Sequence, residues 1–395
     1  MSWRRVKLAD VANVFNGKTP SKAEQRDSGH PVLKIKDVDD NGAFKGTFGS
    51  FVDPGFADKF ASKTLCVDDT LVLNAAHNSD YVGSKQYRAE DSVVGSLPTG
   101  EWLIARAEED QLHPGFLNYW FRSPQARFQI KNLVKGIHLY PKDVARMKIP
   151  LPPLSEQKRI ATILDKADAI RRKRQQAIQL ADEFLRAVFR DMFGANGANG
   201  ANGAKESWPL VAFGDVTKVD APMVDPRDNF YLDMLHIGPD RIEKRTGRLL
   251  PALTARQERV ISKKFLFDES YVLYSKIRPY LRKVALPDFV GLCSADMYPI
   301  RPNAGFVTRE YLWQLLLSDG FTQYTESLPD RANIPKLNRA ELAEFSFRLP
   351  PIDLQIKFSE IYKGYSGFFN SEMSFYNSIN ELFSALSHKA FSGDL

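Results

Sequence analysis

The sequence predicts an α/β (α+β) protein made of two similar halves, each of which ends in a long helix. A Leu-Pro-Pro segment followed by a long amphipathic stretch occurs at residue 151 and again at residue 349. Residues 31–38 alternate apolar and polar side chains, and residues 71–73 are all apolar, which are two patterns typical of strands. A chain of 395 residues suits two domains of roughly 150 residues better than one core.

The first long helix is predicted to extend to Phe193. Pro152 and Pro153 cannot continue a preceding helix, and we expect Ser155 to be the N-cap residue, with Glu156 near the positive end of the helix dipole. Apolar side chains then recur at spacings of three and four, which is typical of a coiled-coil seam. The predicted seam consists of Ile160, Ile163, Ala167, Ile170, Arg174, Ala177, Ala181, Phe184 and Val188, widened by Leu164, Ile178 and Leu185.

The same pattern returns 198 residues later, which indicates an internal duplication and an approximate two-fold relation. The second seam consists of Phe358, Ile361, Tyr365, Phe368, Glu372, Phe375, Ile379, Leu382 and Leu386. Every apolar seam position stays apolar, and the charged position changes from Arg174 to Glu372. The predicted segments are a first domain at 1–150, a long helix at 151–193, a linker at 194–205, a second domain at 206–348 and a second long helix at 349–395.

Composition narrows the classes of protein and of site. The net charge of +6 and the pI of about 9.0 favour an anionic partner only mildly. The two cysteines are far apart in sequence, so we expect neither a disulfide framework nor a zinc site. Without a signal-peptide pattern or a long apolar run, a cytoplasmic protein with no membrane contact is expected. Gly17-Lys18-Thr19-Pro20 is not a phosphate loop, because Ala12 occupies the place of the earlier glycine.

Two loops carry candidate nucleic-acid contacts. In the second half, a basic loop with one aromatic follows a predicted buried strand, and such loops contact phosphates and base edges. Its candidate residues are Lys276, Arg278, Tyr280, Arg282 and Lys283. In the first half, the candidates are Lys34 and Lys36 on a predicted strand, with Asn74, His77, Asn78 and Lys85 in a polar loop. The alternative for the basic loop of the second half is an ordinary solvated hairpin tip.

Several motifs together resemble the specificity subunits of type I restriction–modification enzymes. They are Leu151-Pro152-Pro153-Leu154-Ser155-Glu156-Gln157-Lys158-Arg159-Ile160, its partner from Leu349, Gly17-x-Thr19-Pro20, Ser275-Lys276-Ile277-Arg278-Pro279 and the ending Lys389-Ala390-Phe391-Ser392-Gly393-Asp394-Leu395. The resemblance implies two target-recognition domains that each read half of a bipartite site in double-stranded DNA. It also implies that the two long helices form an antiparallel coiled coil between those domains.

The resemblance further implies partner subunits. The helices would recruit two methyltransferase subunits and, through them, the restriction/translocase subunits. S-adenosylmethionine is then expected only on the methyltransferase, with no cofactor, metal or catalytic residue in this chain. The partner-binding motifs would be Leu151, Pro152, Pro153, Glu156 and Gln157, and Leu349, Pro350, Pro351 and Gln355. The second motif departs from the first, since Asp353-Leu354-Gln355 stands where Ser155-Glu156-Gln157 would be repeated.

Two other classes of protein remain as alternatives. One is a coiled-coil adaptor that makes no direct DNA contact. The other is an autonomous DNA-modifying enzyme, but the chain has no Asp/Asn-Pro-Pro-aromatic motif and no glycine-rich methyl-donor loop after a strand. Pro239-Asp240-x-x-Glu243-Lys244 also lacks the Glu-x-Lys spacing of nuclease carboxylates. DNA footprinting with and without a methyltransferase partner separates the three classes.

The Gly-Ala-Asn repeats from residue 194 allow two hypotheses. Glycine and asparagine form helices poorly, so a flexible tether is the default interpretation. An ordered helical tract would instead act as a ruler, because each triplet would add about 4.5 Å between the two domains. We favour the spacing role slightly, since the tract joins the first helix to the second domain.

Opposite charges predict that the two long helices pair with each other. Residues 155–193 have nine basic and six acidic side chains, whereas residues 353–395 have three basic and five acidic ones. Antiparallel alignment brings Arg174 near Glu372. Each single change, Arg174→Leu or Glu372→Leu, should therefore destabilise the protein by leaving a charge uncompensated, and the double change should recover much of the loss. Additive losses in chemical denaturation of the three variants would refute the pairing.

Overall fold

The computed structural model describes residues 3–39, 42–194, 207–329 and 335–394. The predicted linker lies outside the described residues apart from Gly194, so both hypotheses for the repeats stay predictions. The chain forms two compact units. Unit 1 comprises Met1–Arg174 with Phe375–Leu395, and unit 2 comprises Gln175–Ser374. Each unit thus contains part of both long helices.

The described residues of unit 1 form ten short strands. They are β1 (Arg5–Lys7), β2 (Ala12–Asn16), β3 (Gln25–Arg26), β4 (His30–Leu33), β5 (Phe51–Val52), β6 (Thr70–Leu73), β7 (Gln86–Arg88), β8 (Leu97–Pro98), β9 (Trp102–Ala107) and β10 (Lys148–Pro150). Its helices are α1 (Pro54–Lys59), α2 (Pro114–Arg122), α3 (Pro124–Leu133), α4 (Pro141–Val144) and the start of α5 (Leu154–Phe193). The strands form two four-stranded sheets, in the orders β2-β9-β6-β7 and β3-β5-β4-β8, and the pair β1-β10.

Unit 2 has the same plan. Its strands are β11 (Leu210–Ala212), β12 (Thr217–Lys218), β13 (Met223–Val224), β14 (His236–Ile237), β15 (Lys264–Phe267), β16 (Val272–Ser275), β17 (Val284–Ala285), β18 (Gly291–Cys293), β19 (Met297–Pro302) and β20 (Ser346–Arg348). Its helices are α6 (Phe213–Val216), α7 (Ala255–Glu258), α8 (Arg309–Leu317), α9 (Asp319–Ser327), α10 (Arg339–Glu344) and the start of α11 (Ile352–Ser392).

The two units share one sheet and differ in the other. The order β12-β19-β16-β17 repeats β2-β9-β6-β7, and β11-β20 repeats β1-β10. In the remaining sheet, β14 lies at the edge of the order β13-β15-β18-β14, whereas its counterpart in chain position, β4, lies inside β3-β5-β4-β8. The duplication predicted from the long helices therefore extends to the first sheet, while the second sheet has diverged.

Each unit builds its main core where its first sheet meets the long helices. In unit 1, Phe116 of α2 lies within the same core as Ile160 and Leu164 of α5 and Phe391 of α11. In unit 2, Phe189 of α5 lies among Phe193, Tyr311 and Phe358, with ring centroids 4.9–5.6 Å from its own. Within each unit the two long helices run antiparallel.

Paired contacts establish the direction of the helices. In unit 1, the guanidinium of Arg171 lies 5.0 Å from the ring of Phe383 and that of Arg174 lies 5.1 Å from Phe375. Moving forward along α5 therefore means moving backward along α11. In unit 2, Asp182 accepts a hydrogen bond from the hydroxyl of Tyr365 at 2.6 Å, and Phe189 packs against Phe358 further along α5. The antiparallel prediction is confirmed within each unit, whereas the pairing of Arg174 with Glu372 stays a prediction.

Two local predictions need correction. The strand predicted for residues 31–38 ends at Leu33, because the carboxylate of Asp37 accepts the backbone N–H of Lys34 at 2.8 Å and closes a 3-10 turn over Ile35–Asp37. Ser155 is not the N-cap: α5 begins at Leu154, and the carbonyl of Pro153 accepts the first helical N–H groups. The second helix likewise begins before Asp353, at Ile352.

The predicted seam is also shifted in part. The buried side chains of α5 include Leu164, Ile178, Leu185 and Phe189, so the positions expected to widen the seam are its centre. Several predicted seam residues are instead about half exposed: Ile170 (51%), Phe184 (57%), Phe368 (49%), Phe375 (53%) and Leu382 (56%). A helix of 40 residues can present more than one apolar stripe, and the partner helix covers only one of them.

Among the described residues, no helix has both the length and the apolarity needed to cross a bilayer.

Two phenylalanines of α5 offer a matched stability test. Phe189 is 2% exposed among three aromatic rings, whereas Phe184 is 57% exposed. Phe189→Ala should lower the free energy of unfolding by about 3–5 kcal/mol because it leaves a cavity in the core. Phe184→Ala should change it by no more than about 0.5 kcal/mol. Chemical denaturation of both variants measures this, and equal losses would show that the buried face has been assigned wrongly.

Candidate nucleic-acid interface

The basic loop of unit 2 follows β16 and is held by its own backbone. Pro279–Leu281 forms a 3-10 turn, and the residues on either side, Arg278 and Arg282, have φ angles of 51° and 50°. The N–H of Ser275 donates to the carbonyl of Lys283 at 2.9 Å and closes the base of the loop. Left-handed conformations at non-glycine residues are uncommon and need support from surrounding structure. Here the turn hydrogen bonds provide that support.

Two further segments contact this loop through backbone hydrogen bonds. The N–H of Arg278 donates to the carbonyl of Pro335 at 2.9 Å, and the bridge between Ile277 and Lys336 extends that contact. On another side, the N–H of Arg245 donates to the carbonyl of Leu281 at 3.1 Å. Three segments that are distant in sequence thus meet after the end of β16.

These contacts bring exposed cations from three segments to one loop, which also carries an aromatic residue. Lys244, Arg245, Arg278 and Lys336 are all exposed, and Tyr280 of the loop is 43% exposed. We call these five residues the unit 2 basic surface. Exposed Arg and Lys side chains beside an aromatic ring suit contacts with phosphates, base edges and base faces. The arrangement therefore fits nucleic acid better than it fits a neutral ligand.

Three of the predicted basic residues have structural contacts instead. Lys276 donates to the carbonyl of Ala295 at 2.7 Å, and Arg282 forms an ion pair with Asp319 at 2.6 Å. Lys283 donates to the carbonyl of Pro239, and partial burial lowers the pKa of its ammonium group. Their cationic groups support the loop, so of the five residues predicted here only Arg278 and Tyr280 remain outward-facing candidates.

The equivalent loop of unit 1 is polar rather than basic. Asn74, at its start, is 4% exposed and donates to Asn16 and to the carbonyl of Gly100, which contradicts its prediction as a DNA contact. Lys85 donates to the carbonyls of Ile35 and Val38, so it too supports the structure. The remaining candidates are Lys34, which is half-buried, and Lys36, His77 and Asn78, which are exposed.

Sequence reasoning missed residues on both loops. In unit 1 the bridge between Ala75 and His138 brings an exposed histidine beside the polar loop, with Tyr140, 41% exposed, at a ring distance of 6.2 Å from it. In unit 2 it missed Lys244, Arg245 and Lys336. The one sequence signal that pointed to Lys336 was a pair of matching dipeptides, Pro141-Lys142 and Pro335-Lys336, which lie at comparable places before the two Leu-Pro-Pro segments. No local pattern connects residue 245 with residue 278.

Arg248 ties the unit 2 basic surface to the long helices. It follows the turn that carries Lys244 and Arg245, forms an ion pair with Asp182 of α5, and lies 4.7 Å over the ring of Phe369 of α11. Asp182 also accepts the hydroxyl of Tyr365, and burial together with this carboxylate raises the pKa of that phenol. A planar guanidinium can pair with a carboxylate and stack on a ring at the same time. The turn is therefore held against both helices.

Unit 1 has its own polar contacts with α5. Arg88 of β7 pairs with Asp165 at 3.2 Å, and the hydroxyl of Tyr119 donates to the same carboxylate at 2.7 Å. Asp168, one turn further along, pairs with Arg122 of α2 at 3.6 Å. These side chains line a polar cavity of about 250 Å³. Across the described ranges, no cluster of three or more His, Cys, Asp or Glu side chains is placed to hold a metal ion.

The two Leu-Pro-Pro motifs differ from prediction at two residues each. Pro153 and Pro351 are exposed, and Leu151, Leu349 and Glu156 are half-buried, so these stay candidates for partner contact. Pro152 and Pro350 are buried, and Gln157 and Gln355 are both 0% exposed. A partner cannot reach a side chain that is fully enclosed in its own unit. The prediction that Gln157 and Gln355 bind a partner is therefore wrong, and that for the two buried prolines is contradicted as well.

Comparison with known proteins agrees with this architecture. Residues 2–180 match the family described as the type I restriction modification DNA specificity domain. The chain is 28% identical to the type I restriction enzyme EcoDI specificity subunit of Escherichia coli, over 90% of this chain and 79% of that subunit. It is 23% identical to the EcoKI specificity subunit of Escherichia coli strain K12, over 47% of this chain and 41% of that subunit.

A solved structure shares the fold over nearly the whole chain. The S subunit of a type I restriction–modification system from M. genitalium superposes with a TM-score of 0.60 at 12% identity, covering 99% of this chain and 96% of that one. The paired Leu-Pro-Pro helices, the duplicated first sheet and the matched sequences lead to one conclusion. The chain is similar along most of its length to a type I restriction enzyme specificity subunit, and its residues 2–180 match the specificity-domain family.

Proposed function

We propose that this chain is the DNA-recognition subunit of a type I restriction–modification complex, in which each unit reads one part of a bipartite, asymmetric site in double-stranded DNA. The observation that carries the proposal is the unit 2 basic surface, where backbone contacts bring four exposed cations from three segments to the loop that carries Tyr280 beyond the end of β16. The polar loop beyond β6 occupies the equivalent place in unit 1. A duplicated reader suits two half-sites on one duplex.

The two half-sites should differ in sequence. The shared first sheet supports loops of different chemistry, with Lys and Arg side chains in unit 2 and His77, Asn78 and His138 in unit 1. Arginine recognises guanine bidentately, and asparagine recognises adenine. Loops with different donors and acceptors cannot read the same bases equally well, which favours an asymmetric site over a palindrome.

The long helices are the proposed site for methyltransferase subunits, through which restriction subunits would join. Phe375 and Leu382 are half exposed seven residues apart on the part of α11 in unit 1, so they form one stripe, and Phe368 is half exposed on the part of α11 in unit 2. Ile170 and Phe184 are exposed at the duplicated positions of α5, 198 residues earlier than Phe368 and Leu382. Exposed apolar stripes of this kind mark protein interfaces. A duplicated stripe supports two partner subunits.

The chain is proposed to be non-catalytic, with S-adenosylmethionine bound by the methyltransferase partner. Its sequence offers no methyl-donor loop, and its exposed basic loops have the chemistry of binding. An adaptor that makes no DNA contact would have no need for cations gathered from three separate segments, so the recognition role is the better account of the unit 2 basic surface.

The partner stripe can be tested by assembly. Phe368→Ser and Leu382→Ser should keep the fold but weaken co-purification of the methyltransferase subunit, because each removes exposed apolar area from the stripe. The matched control is Phe230→Ser, which alters a side chain that is 75% exposed and lies outside the long helices.

The complex, but not the purified chain alone, should transfer labelled methyl groups to DNA. Methyl transfer by the chain after rigorous removal of methyltransferase would refute the non-catalytic role, and undiminished assembly of both stripe variants would refute the docking site.

The base or phosphate role of Arg278 can be separated by two substitutions. If Arg278 reads a base, Arg278→Ala should lose roughly 1–3 kcal/mol of binding free energy and relax specificity at one position. Arg278→Lys should then be almost as damaging, because lysine lacks the bidentate fork. If Arg278 contacts phosphate, Arg278→Lys should bind nearly normally, and Arg278→Ala should reduce the salt slope by about one. Binding of the complex to duplexes at several salt concentrations distinguishes these cases, and unchanged affinity in both variants would exclude Arg278 from the interface.

A further inference from the structure

Each unit contains one fully buried glutamine at the start of its long helix. In unit 1, the Oε1 atom of Gln157 accepts the backbone N–H of His113 at 2.8 Å. Its Nε2 group donates to the carbonyl of Gln111 at 3.0 Å and to that of Pro152 at 2.9 Å. One side chain therefore joins the loop before α2, the Leu-Pro-Pro segment and α5.

Unit 2 repeats this arrangement with different neighbours. The Oε1 atom of Gln355 accepts the N–H of Thr308 at 2.9 Å, and its Nε2 group donates to Phe306 at 3.0 Å and to Pro350 at 2.8 Å. The N–H donor and one carbonyl acceptor belong to the loop before α8, and the other acceptor belongs to the second Leu-Pro-Pro segment, which are the equivalents of the two segments contacted in unit 1. We call these two sets of contacts the glutamine joints.

A primary amide is the group that these contacts require. At each joint, one backbone N–H needs an acceptor and two backbone carbonyls need donors. The amide group of glutamine supplies one acceptor oxygen and two N–H donors. Glutamate would direct a carboxylate at two carbonyl oxygens, and a methionine of similar length would leave three buried backbone groups without their partners. The chemistry explains why this residue type occurs in both copies.

The contacts next to the glutamine joints differ between the two units. One turn further along α5, Ala161 faces Gly115 of α2, where an added Cβ would lie 3.3 Å from the alanine methyl. At the equivalent place in unit 2, the hydroxyl of Ser359 donates to Glu310 of α8 at 2.8 Å. A close apolar contact in one unit is thus replaced by a hydrogen bond in the other. The amide contacts are the part of this boundary that the two units have in common.

Each joint lies where the recognition domain meets its helix. The helices that begin at the joints, α2 and α8, pack against the first sheets, which carry the candidate DNA-reading loops at the ends of β6 and β16. We propose that Gln157 and Gln355 are positioning residues that hold each reading domain at a fixed angle on its long helix and so set the spacing accepted between the two half-sites. This inference rests on the proposed function.

Small changes at the joint have large effects at the DNA. A rotation of about 10° moves a point about 20 Å away by about 3.5 Å, which is close to the rise of one base pair. Loss of one joint should therefore broaden the accepted spacer by about one base pair while the half-site sequences stay the same. If the glutamine had a purely structural role, its substitution would lower the stability of the protein without broadening the accepted spacer.

The test uses the full chain in complex with its methyltransferase subunit and a duplex library in which the two half-sites are separated by spacers of every length. The variants are Gln157→Met and Gln355→Met. The control is Gln86→Met, which removes another buried amide of unit 1, one that donates to the carbonyl of Phe121 in α2. Thermal melting confirms folding of each variant. If both methionine variants fail to fold, Gln157→Asn and Gln355→Asn, which shorten the amide by one carbon, take their place.

The wild-type complex should select one spacer length strongly. In each joint variant, the enrichment of that length over its neighbours should fall by about tenfold or more, with half-site sequences unchanged, whereas Gln86→Met should keep the wild-type preference. An unchanged spacer preference in folded joint variants would overturn the inference, as would equal loss of binding at every length. If the wild-type complex selects no bipartite site, the proposed function itself fails.

Discussion

Burial of one face of each long helix is the constraint on which the rest of this structure depends. The start of α5 and the end of α11 complete the core of unit 1, where Ile160 and Leu164 lie with Phe116 and Phe391. The end of α5 and the start of α11 complete the core of unit 2 around Phe189. Neither helix would be stable alone in water at this composition, because helices of globular proteins gain most of their stability from packing. The helices are therefore structural parts of both units as well as connections between them.

The buried glutamines and the arginine–aspartate pairs restrict the orientation of each first sheet on the long helices. Apolar contacts are not directional, so they permit small rotations of a sheet on a helix. Hydrogen bonds from Gln157 and Gln355 to three backbone groups each, and the ion pairs of Arg88 and Arg248 with α5, permit fewer orientations. A protein that must hold two reading surfaces in register on one duplex needs this kind of restriction.

Divergence between the units is concentrated away from the helices. The first sheet and the glutamine joints are kept, whereas the second sheet changes its strand order and the loops change from polar in unit 1 to basic in unit 2. A rigid, shared scaffold allows loops to vary without loss of the core, because loop residues contribute little to packing. The loops can therefore change their chemistry while the first sheet and the buried contacts with the long helices stay the same.

The sequence by itself determined the parts that depend on local pattern. Helical periodicity predicted the two long helices, the repeat at residue 349 predicted the duplication, and short apolar runs predicted the buried strands β6 and β16. Tertiary structure decided which polar residues face solvent. Asn74, Gln157 and Gln355 are enclosed by segments about 25 to 60 residues away in sequence, and Arg245 meets Arg278 through a contact that no local pattern encodes. The exposed stripe of α11 was also misassigned to the seam, since periodicity shows that a face is apolar but not which neighbour covers it. Exposure is a property of the folded chain, because it depends on atoms that are brought together only when distant segments pack.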